Sequence, residues 1–196
     1  MQGLLRLSRA IDSITAFIGR WASWLIFAAV FVSAGNAVVR KLWDTSSNAW
    51  LELQWLLFGI AFMAAAPYTL QRNEHIRIDI LSLRLPKSIR NGIELFGHAF
   101  MLIPLTLLMI VESWAWAMES FTSVQDLLTF GGLPLWPAKF TIVAGFAMLL
   151  IQAISEIIKR VAIMQGLIPD EHDRSGHGPP PIEIPGLPGA PDGGRA

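Results

Sequence analysis

The chain has 196 residues, of which 53% are hydrophobic and 15% are charged, with 15 basic and 15 acidic side chains. A soluble domain of this length is usually less apolar and more charged, so the composition predicts a protein that lies in a lipid bilayer. The balanced charge argues against nucleic-acid binding, which needs a basic face. Because the chain contains no cysteine, disulfides and thiolate metal sites are excluded.

Four stretches are long and apolar enough to cross about 30 Å of hydrocarbon as helices. They are, in chain order, residues 21–39, 50–70, 93–111 and 137–158. They lack the strict alternation of barrel strands and exceed the length of an ordinary core helix. The predicted fold class is therefore an all-α membrane protein with four transmembrane helices.

The distribution of Lys and Arg predicts the orientation of these spans. The N-terminal segment, the second connection and the end of span four together carry most of them, namely Arg6, Arg9, Arg20, Arg72, Arg77, Arg84, Lys87, Arg90, Lys159 and Arg160. The other side carries only Arg40, Lys41 and Lys139. Because basic residues near span ends are retained in the cytoplasm, we expect a multi-pass protein of the bacterial inner membrane with both termini inside.

The predicted spans divide the chain into three parts. Residues 1–20 are expected to form a cytoplasmic N-terminal segment, and residues 21–164 the four-helix membrane domain. Residues 165–196 are rich in Pro and Gly and are expected to form a disordered cytoplasmic tail. Residues 71–90, between spans two and three, fit either a helix in the inner headgroup layer or an extended segment, and the sequence leaves both open.

Spans one and four each carry a face of small and polar side chains at helical spacing. The face of span one consists of Ala29, Ser33, Asn36 and Arg40, and that of span four of Gly145, Met148, Gln152, Ser155 and Lys159. Faces of this kind let helices approach closely and form hydrogen bonds across the contact. We expect both to point at protein, although the pattern leaves open whether they close this chain's own bundle or contact a second protein.

Two carboxylates lie near span ends, Glu52 at the outer start of span two and Glu156 at the inner end of span four. A carboxylate at membrane depth is costly, so each is expected to have a cationic partner. The predicted partners are Arg40 or Lys41 for Glu52 and Arg72 for Glu156. An ion-coupling site would place its ligands nearer the midplane, so we predict structural ion pairs.

His98 is the one histidine well inside a predicted span. A bis-histidine haem needs two axial ligands at similar depth, and a single chain of this sequence does not supply both. His98 is therefore expected to be hydrogen-bonded within the bundle. No cofactor, metal or catalytic group is predicted, and the chain is not expected to be an enzyme.

Several strings together resemble a known family. They are NAWLELQW (residues 48–55), RNEHIRIDI (72–80), GGL (131–133), WPAK (136–139) and SEIIKR (155–160). They are similar to the small permease subunit (DctQ family) of tripartite ATP-independent periplasmic (TRAP) transporters, in the branch associated with mannitol, chloroaromatic compounds and 2-oxo acids. The likeness covers residues 10–164 and excludes the tail.

The resemblance implies a small subunit that scaffolds a large permease subunit, for sodium-coupled uptake of an organic acid delivered by a periplasmic solute-binding protein. The residues expected to serve assembly and anchoring are Asn36, Arg40, Trp50, Glu52, Trp55, Arg72, His75, Asp79, Trp136, Gln152 and Glu156. The alternatives are a membrane anchor of a respiratory complex that holds haem or quinone, against which the lone His98 argues, and a stand-alone channel or exporter subunit.

Overall fold

The computed structural model describes residues 2–43, 48–72, 87–122 and 133–168. Its elements are α1 (Gln2–Trp43), α2 (Asn48–Arg72), α3 (Lys87–Phe96), a π-helical segment (Gly97–Leu102), α4 (Ile103–Thr122) and α5 (Trp136–Met164). Four stretches in this part of the chain are helices long and apolar enough to cross a membrane. The predicted all-α class with four spans is confirmed.

Successive spans run in opposite directions, which gives the bundle two ends. The terminal end carries the start of α1 and the end of α5, and the distal end carries the end of α1 and the start of α5. The predicted interfacial segment lies largely in residues 73–86, and most of the predicted tail in residues 169–196. Both stretches fall outside the described residues, as do His75 and Asp79.

Helix α1 is much longer than the predicted first span. It contains 42 residues, about 63 Å at 1.5 Å per residue, and it begins at Gln2 rather than near Trp21. Ser8, Thr15 and Gly19 are buried on one face of the added part, while Leu7 and Phe17 are exposed. The arginines of this segment lower its hydropathy, so a search for a continuous apolar run finds only the second half of the helix.

Small residues form the helix contacts of the bundle. The buried apolar side chains are mostly alanines, among them Ala22, Ala29, Ala61, Ala117 and Ala153. In lipid, small side chains allow close backbone approach, which favours helix association through packing. Between 6% and 28% of the most apolar stretch of each spanning helix is buried. Most of the large apolar side chains therefore face outward, as the lipid-facing surface of a membrane protein requires.

Two helix irregularities follow from the sequence. Pro104 has no N–H and its ring clashes with the preceding turn of a regular α-helix. The π-helical segment Gly97–Leu102 ends two residues before Pro104, and the N–H of Ile103 bonds to the carbonyl of His98, so the wider turn accommodates the proline. At the end of α5, Gly166 has φ +72° and the N–H of Leu167 bonds to the carbonyl of Ala162, which is a Schellman ending.

Candidate functional site

A buried polar network joins α1 to α5 at the terminal end. We call it the terminal network, and its members are Ser8, Asp12, Thr15, Gln152, Ser155, Glu156 and Lys159. At its centre the fully buried Gln152 accepts a hydrogen bond of 2.8 Å from the hydroxyl of Thr15. The Nε2 of Gln152 donates to Asp12 at 2.8 Å and to Glu156 at 2.9 Å. One amide side chain thus connects three polar groups of two helices.

Lys159 supplies the charge that the two carboxylates of the terminal network require. Its Nζ lies 3.1 Å from Asp12 Oδ2 and 2.5 Å from Glu156 Oε1. Ser155 Oγ donates to Asp12 at 3.0 Å and lies 2.7 Å from the hydroxyl of Ser8. Hydrogen bonds and opposite charge therefore offset the cost of burying these groups together.

The terminal network reaches α2 through Gln71, whose Nε2 donates to the backbone carbonyl of Asp12 at 3.0 Å. Gln71 and Ser155 lie near the ends of predicted spans two and four. Asp12 lies at their level, so α1 packs against the ends of α2 and α5 about two turns before the predicted start of span one at Trp21.

The predicted polar face of span four is confirmed, because Gly145, Gln152 and Ser155 are buried. The predicted pairing of Glu156 with Arg72 is wrong, since Glu156 pairs with Lys159 one turn away. Arg72 instead donates to the hydroxyl of Tyr68 at 3.0 Å and lies over its ring, 5.4 Å from the centroid.

The sequence prediction missed Asp12, Ser8 and Thr15. A signal was present, because Ser8, Asp12, Thr15 and Gly19 follow each other at offsets of four, three and four and therefore share a helical face. The same spacing identified the polar face of span one. Residues 8–19 precede the apolar run that begins at Trp21, so their polar face lies outside the predicted span.

A second buried polar contact joins α5 to α3. Arg160, which is 9% exposed, forms an ion pair with Glu94 and donates to Asn91 Oδ1 at 3.3 Å. His98 Nδ1 donates to the backbone carbonyl of Glu94 at 2.7 Å, so the prediction of a hydrogen-bonded histidine is confirmed. This contact ties the third span to α5, the helix that also carries half of the terminal network.

At the distal end, Glu52 does not pair with Arg40 or Lys41 as predicted. Its carboxylate accepts a hydrogen bond from the backbone N–H of Leu133, three residues before α5 begins at Trp136. The bond gives this loop N–H an ionised acceptor, and hydrogen bonds to charged groups are stronger than neutral ones. Glu52 thus fixes the start of α5 against α2.

An aromatic cluster joins α4 to α5 at the same end. Phe121, Trp136, Phe140 and Trp114 contact one another edge to face with ring centroids 5.7 to 6.2 Å apart. Lys139 lies over the ring of Trp116, 4.6 Å from its centroid. Edge-to-face pairs and cation–π contacts of this kind stabilise a helix contact beyond area burial.

The remaining predicted assembly residues lie on the surface. Trp50, Trp55 and Trp136 are exposed, and Asn36 and Arg40 line a hollow between α1 and α2. Within the described residues, no group of three or more His, Asp or Glu side chains could hold a metal ion. The geometry of the terminal network is thus that of a helix clamp, in which the carboxylates already have protein partners.

The architecture defines a small four-helix membrane protein in which the terminal network holds the helices together at one end. Residues 30–162 match the family described as tripartite ATP-independent periplasmic transporters, DctQ component, and the chain belongs to this family. The resemblance found in the sequence is confirmed at the level of the family. No curated protein and no solved structure matches the chain. DctQ proteins are transporter components rather than enzymes, and the four apolar helices agree with a multi-pass inner-membrane protein.

Proposed function

We propose that this chain is the scaffold subunit of a TRAP transporter and holds the large permease subunit during sodium-coupled uptake of an organic acid. The observation that carries the proposal is the terminal network. Its carboxylates, Asp12 and Glu156, both contact Lys159, and hydrogen bonds from Gln152 fix them further. Groups bound in this way suit a rigid support better than a site that must bind and release an ion.

The packing of the helices supports the same role. A translocation path in the membrane is built from interrupted helices whose ends bind the substrate and the ion. Here α1 and α5 are continuous over 42 and 29 residues, and the contact of Arg160 with Glu94 fixes the third span against α5. On this proposal the substrate and sodium sites belong to the large subunit, and a periplasmic binding protein delivers the organic acid.

The proposed orientation places the terminal end in the cytoplasm and the distal end in the periplasm. The basic residues Arg6, Arg9 and Arg20 of α1 support it, because they lie on the same side as Arg72 and Arg160. Since the chain has no cysteine, single-cysteine variants are a direct test. A thiol at Gln165 should react with an impermeant reagent only after the cells are opened, and one at Lys41 should react in intact cells. The reverse pattern would refute this orientation.

Co-purification tests the scaffold role. The large permease subunit of the same transporter carries the affinity tag, and this chain is co-expressed and extracted in mild detergent. We expect an equimolar complex. The substitution Lys159→Met, which leaves two carboxylates without their cation, should reduce recovery of this chain, whereas Arg20→Met at an exposed position should not. Recovery of this chain as a homo-oligomer that transports solute by itself would refute the proposal.

A further inference from the structure

The two predicted polar faces have different partners in the structure. The face on α5 is satisfied inside the bundle, because Gln152 and Ser155 are buried and hydrogen-bonded to α1. On the distal half of α1, Ala29 is buried, but Ser33 and Asn36 are only half-buried and Arg40 is exposed. Within the described part of the chain, these three polar side chains have no hydrogen-bonding partner.

These side chains line a groove between α1 and α2. We call it the distal groove and define it by Ser33, Asn36, Ala37, Arg40, Gln54 and Phe58. It consists of two adjoining hollows of about 610 Å³ each, which share Ser33, Ala37 and Gln54. Gln54 reaches the groove from α2 and likewise has no hydrogen-bonding partner among the described residues. The groove therefore presents one hydroxyl, one amide and a guanidinium from α1 and a second amide from α2.

The depth of Asn36 and Gln54 in the membrane restricts what can fill the distal groove. Asn36 lies one turn inside the predicted outer end of span one, and Gln54 lies one turn inside the start of span two at Trp50. Acyl chains neither donate nor accept hydrogen bonds, so an amide exposed to them is left unsatisfied. Polar side chains in membrane spans are accordingly found against protein or in water-filled cavities. A polypeptide partner removes this cost.

We propose that the distal groove receives a transmembrane helix of the large permease subunit. The inference rests on the proposed function and adds to it the contact surface and its chemistry. Small side chains at Ser33 and Ala37 permit close helix approach. The partner helix is expected to carry a hydrogen-bonding side chain opposite Asn36 and Gln54. A carboxylate is expected nearer the membrane surface, because Arg40 and Lys41 lie there.

Photocrosslinking from the groove tests the surface. Ala37→Cys, in a chain that has no other cysteine, is labelled with benzophenone maleimide in membranes that contain the tagged large subunit. The matched control is Ala115→Cys, an exposed alanine on α4. After irradiation, we expect the label at Ala37 to join this chain to a transmembrane segment of the large subunit, and the label at Ala115 to give mainly lipid adducts. Lipid adducts alone from Ala37, or adducts to a second copy of this chain, would overturn the inference.

A double substitution tests the polar chemistry of the groove. Asn36→Leu with Gln54→Leu preserves side-chain size and removes both amides. Because neither amide has a hydrogen-bonding partner among the described residues, the unfolding midpoint of the isolated chain should not fall. Affinity for the large subunit should fall about tenfold, as expected for two lost interhelical hydrogen bonds. The control Ser23→Leu, at an exposed position of α1 outside the groove, should change neither quantity.

The outcomes separate the two proposals. Unchanged affinity of the double variant would overturn the polar contact while leaving the scaffold role intact. If the unsubstituted chain does not bind the large subunit at all, the proposed function itself fails. Binding of the unsubstituted chain together with lipid-only adducts at Ala37 would show that the complex forms through another surface.

Discussion

Gly19 of α1 lies directly against the ring of Tyr68 of α2. A Cβ atom placed on Gly19 would come within 2.5 Å of the Tyr68 Cβ, which is closer than two carbon atoms approach without a shift of backbone. Tyr68 in turn positions Arg72 through a hydrogen bond of 3.0 Å. The absence of a side chain at Gly19 therefore sets the spacing of α1 and α2 beside the terminal network.

This contact predicts that Gly19→Ala destabilises the bundle. The added methyl group forces α1 away from α2, and overpacking of this kind costs about 1–3 kcal/mol. The free energy of unfolding in mixed detergent micelles measures the effect. Gly59→Ala is the matched control, because it also lies in a spanning helix and a Cβ there meets nothing within 4 Å. Equal stability of the two variants would contradict the close contact.

Removal of Lys159 from the terminal network should lower the free energy of unfolding more than removal of one carboxylate does. In Lys159→Met, Asp12 and Glu156 remain close together without a cation. Breaking a buried pair costs about 3–5 kcal/mol, and we expect somewhat less here because these side chains are 16–26% exposed. In Asp12→Asn, Lys159 retains Glu156, so a smaller loss of unfolding free energy is expected. A larger loss in Asp12→Asn than in Lys159→Met would show that Lys159 does not hold the network together.

The contact of Arg160 with the third span predicts that substitution of Arg160 destabilises this span more than the others. Arg160→Met removes a buried guanidinium together with its ion pair to Glu94 and its hydrogen bond to Asn91, and should lower the unfolding free energy by about 3 kcal/mol. Hydrogen exchange should rise in α3 and the π-helical segment, which pack on α5. Arg20→Met removes an exposed arginine that donates to the carbonyl of Ala16 in its own helix and should stay within about 0.5 kcal/mol of the unsubstituted chain. A uniform increase in hydrogen exchange across all four spanning helices of Arg160→Met would contradict a role of Arg160 confined to the third span.

The number of spans and the polar face of α5 were predictable from the sequence, because an apolar run of about 20 residues and a helical period each follow from local pattern. Ion-pair partners were not predictable in this way. Glu156 was assigned to Arg72 by shared depth, yet Lys159 lies one turn away on the same face. Depth restricts the candidates to one level of the bundle, whereas the rotation of each helix, which packing determines, selects among them.

The partner of Glu52 was likewise not predictable from the sequence, because it is a backbone N–H. A charge pattern identifies cationic side chains such as Arg40, but it does not show that Leu133 returns to the start of α2. The start of α5 beside Pro137, by contrast, was predictable, since proline is favoured in the first turn of a helix.

The contact of Glu52 with Leu133 predicts a graded response to substitution. Glu52→Gln retains an acceptor for the N–H, so stability and sodium-coupled uptake by the complete transporter should remain near those of the unsubstituted protein. Glu52→Leu leaves the N–H without this partner and should cost about 1–2 kcal/mol of unfolding free energy. Loss of sodium coupling in Glu52→Gln, with assembly intact, would instead indicate that the carboxylate binds the coupling ion.

Reconstitution tests the scaffold role most directly. The large permease subunit is placed in proteoliposomes with and without this chain, and uptake of an organic acid presented by its binding protein is measured under an inward sodium gradient. We expect sodium-driven uptake only when both membrane subunits are present, and none from this chain alone. Transport by this chain alone, or undiminished uptake by the large subunit without it, would contradict the account.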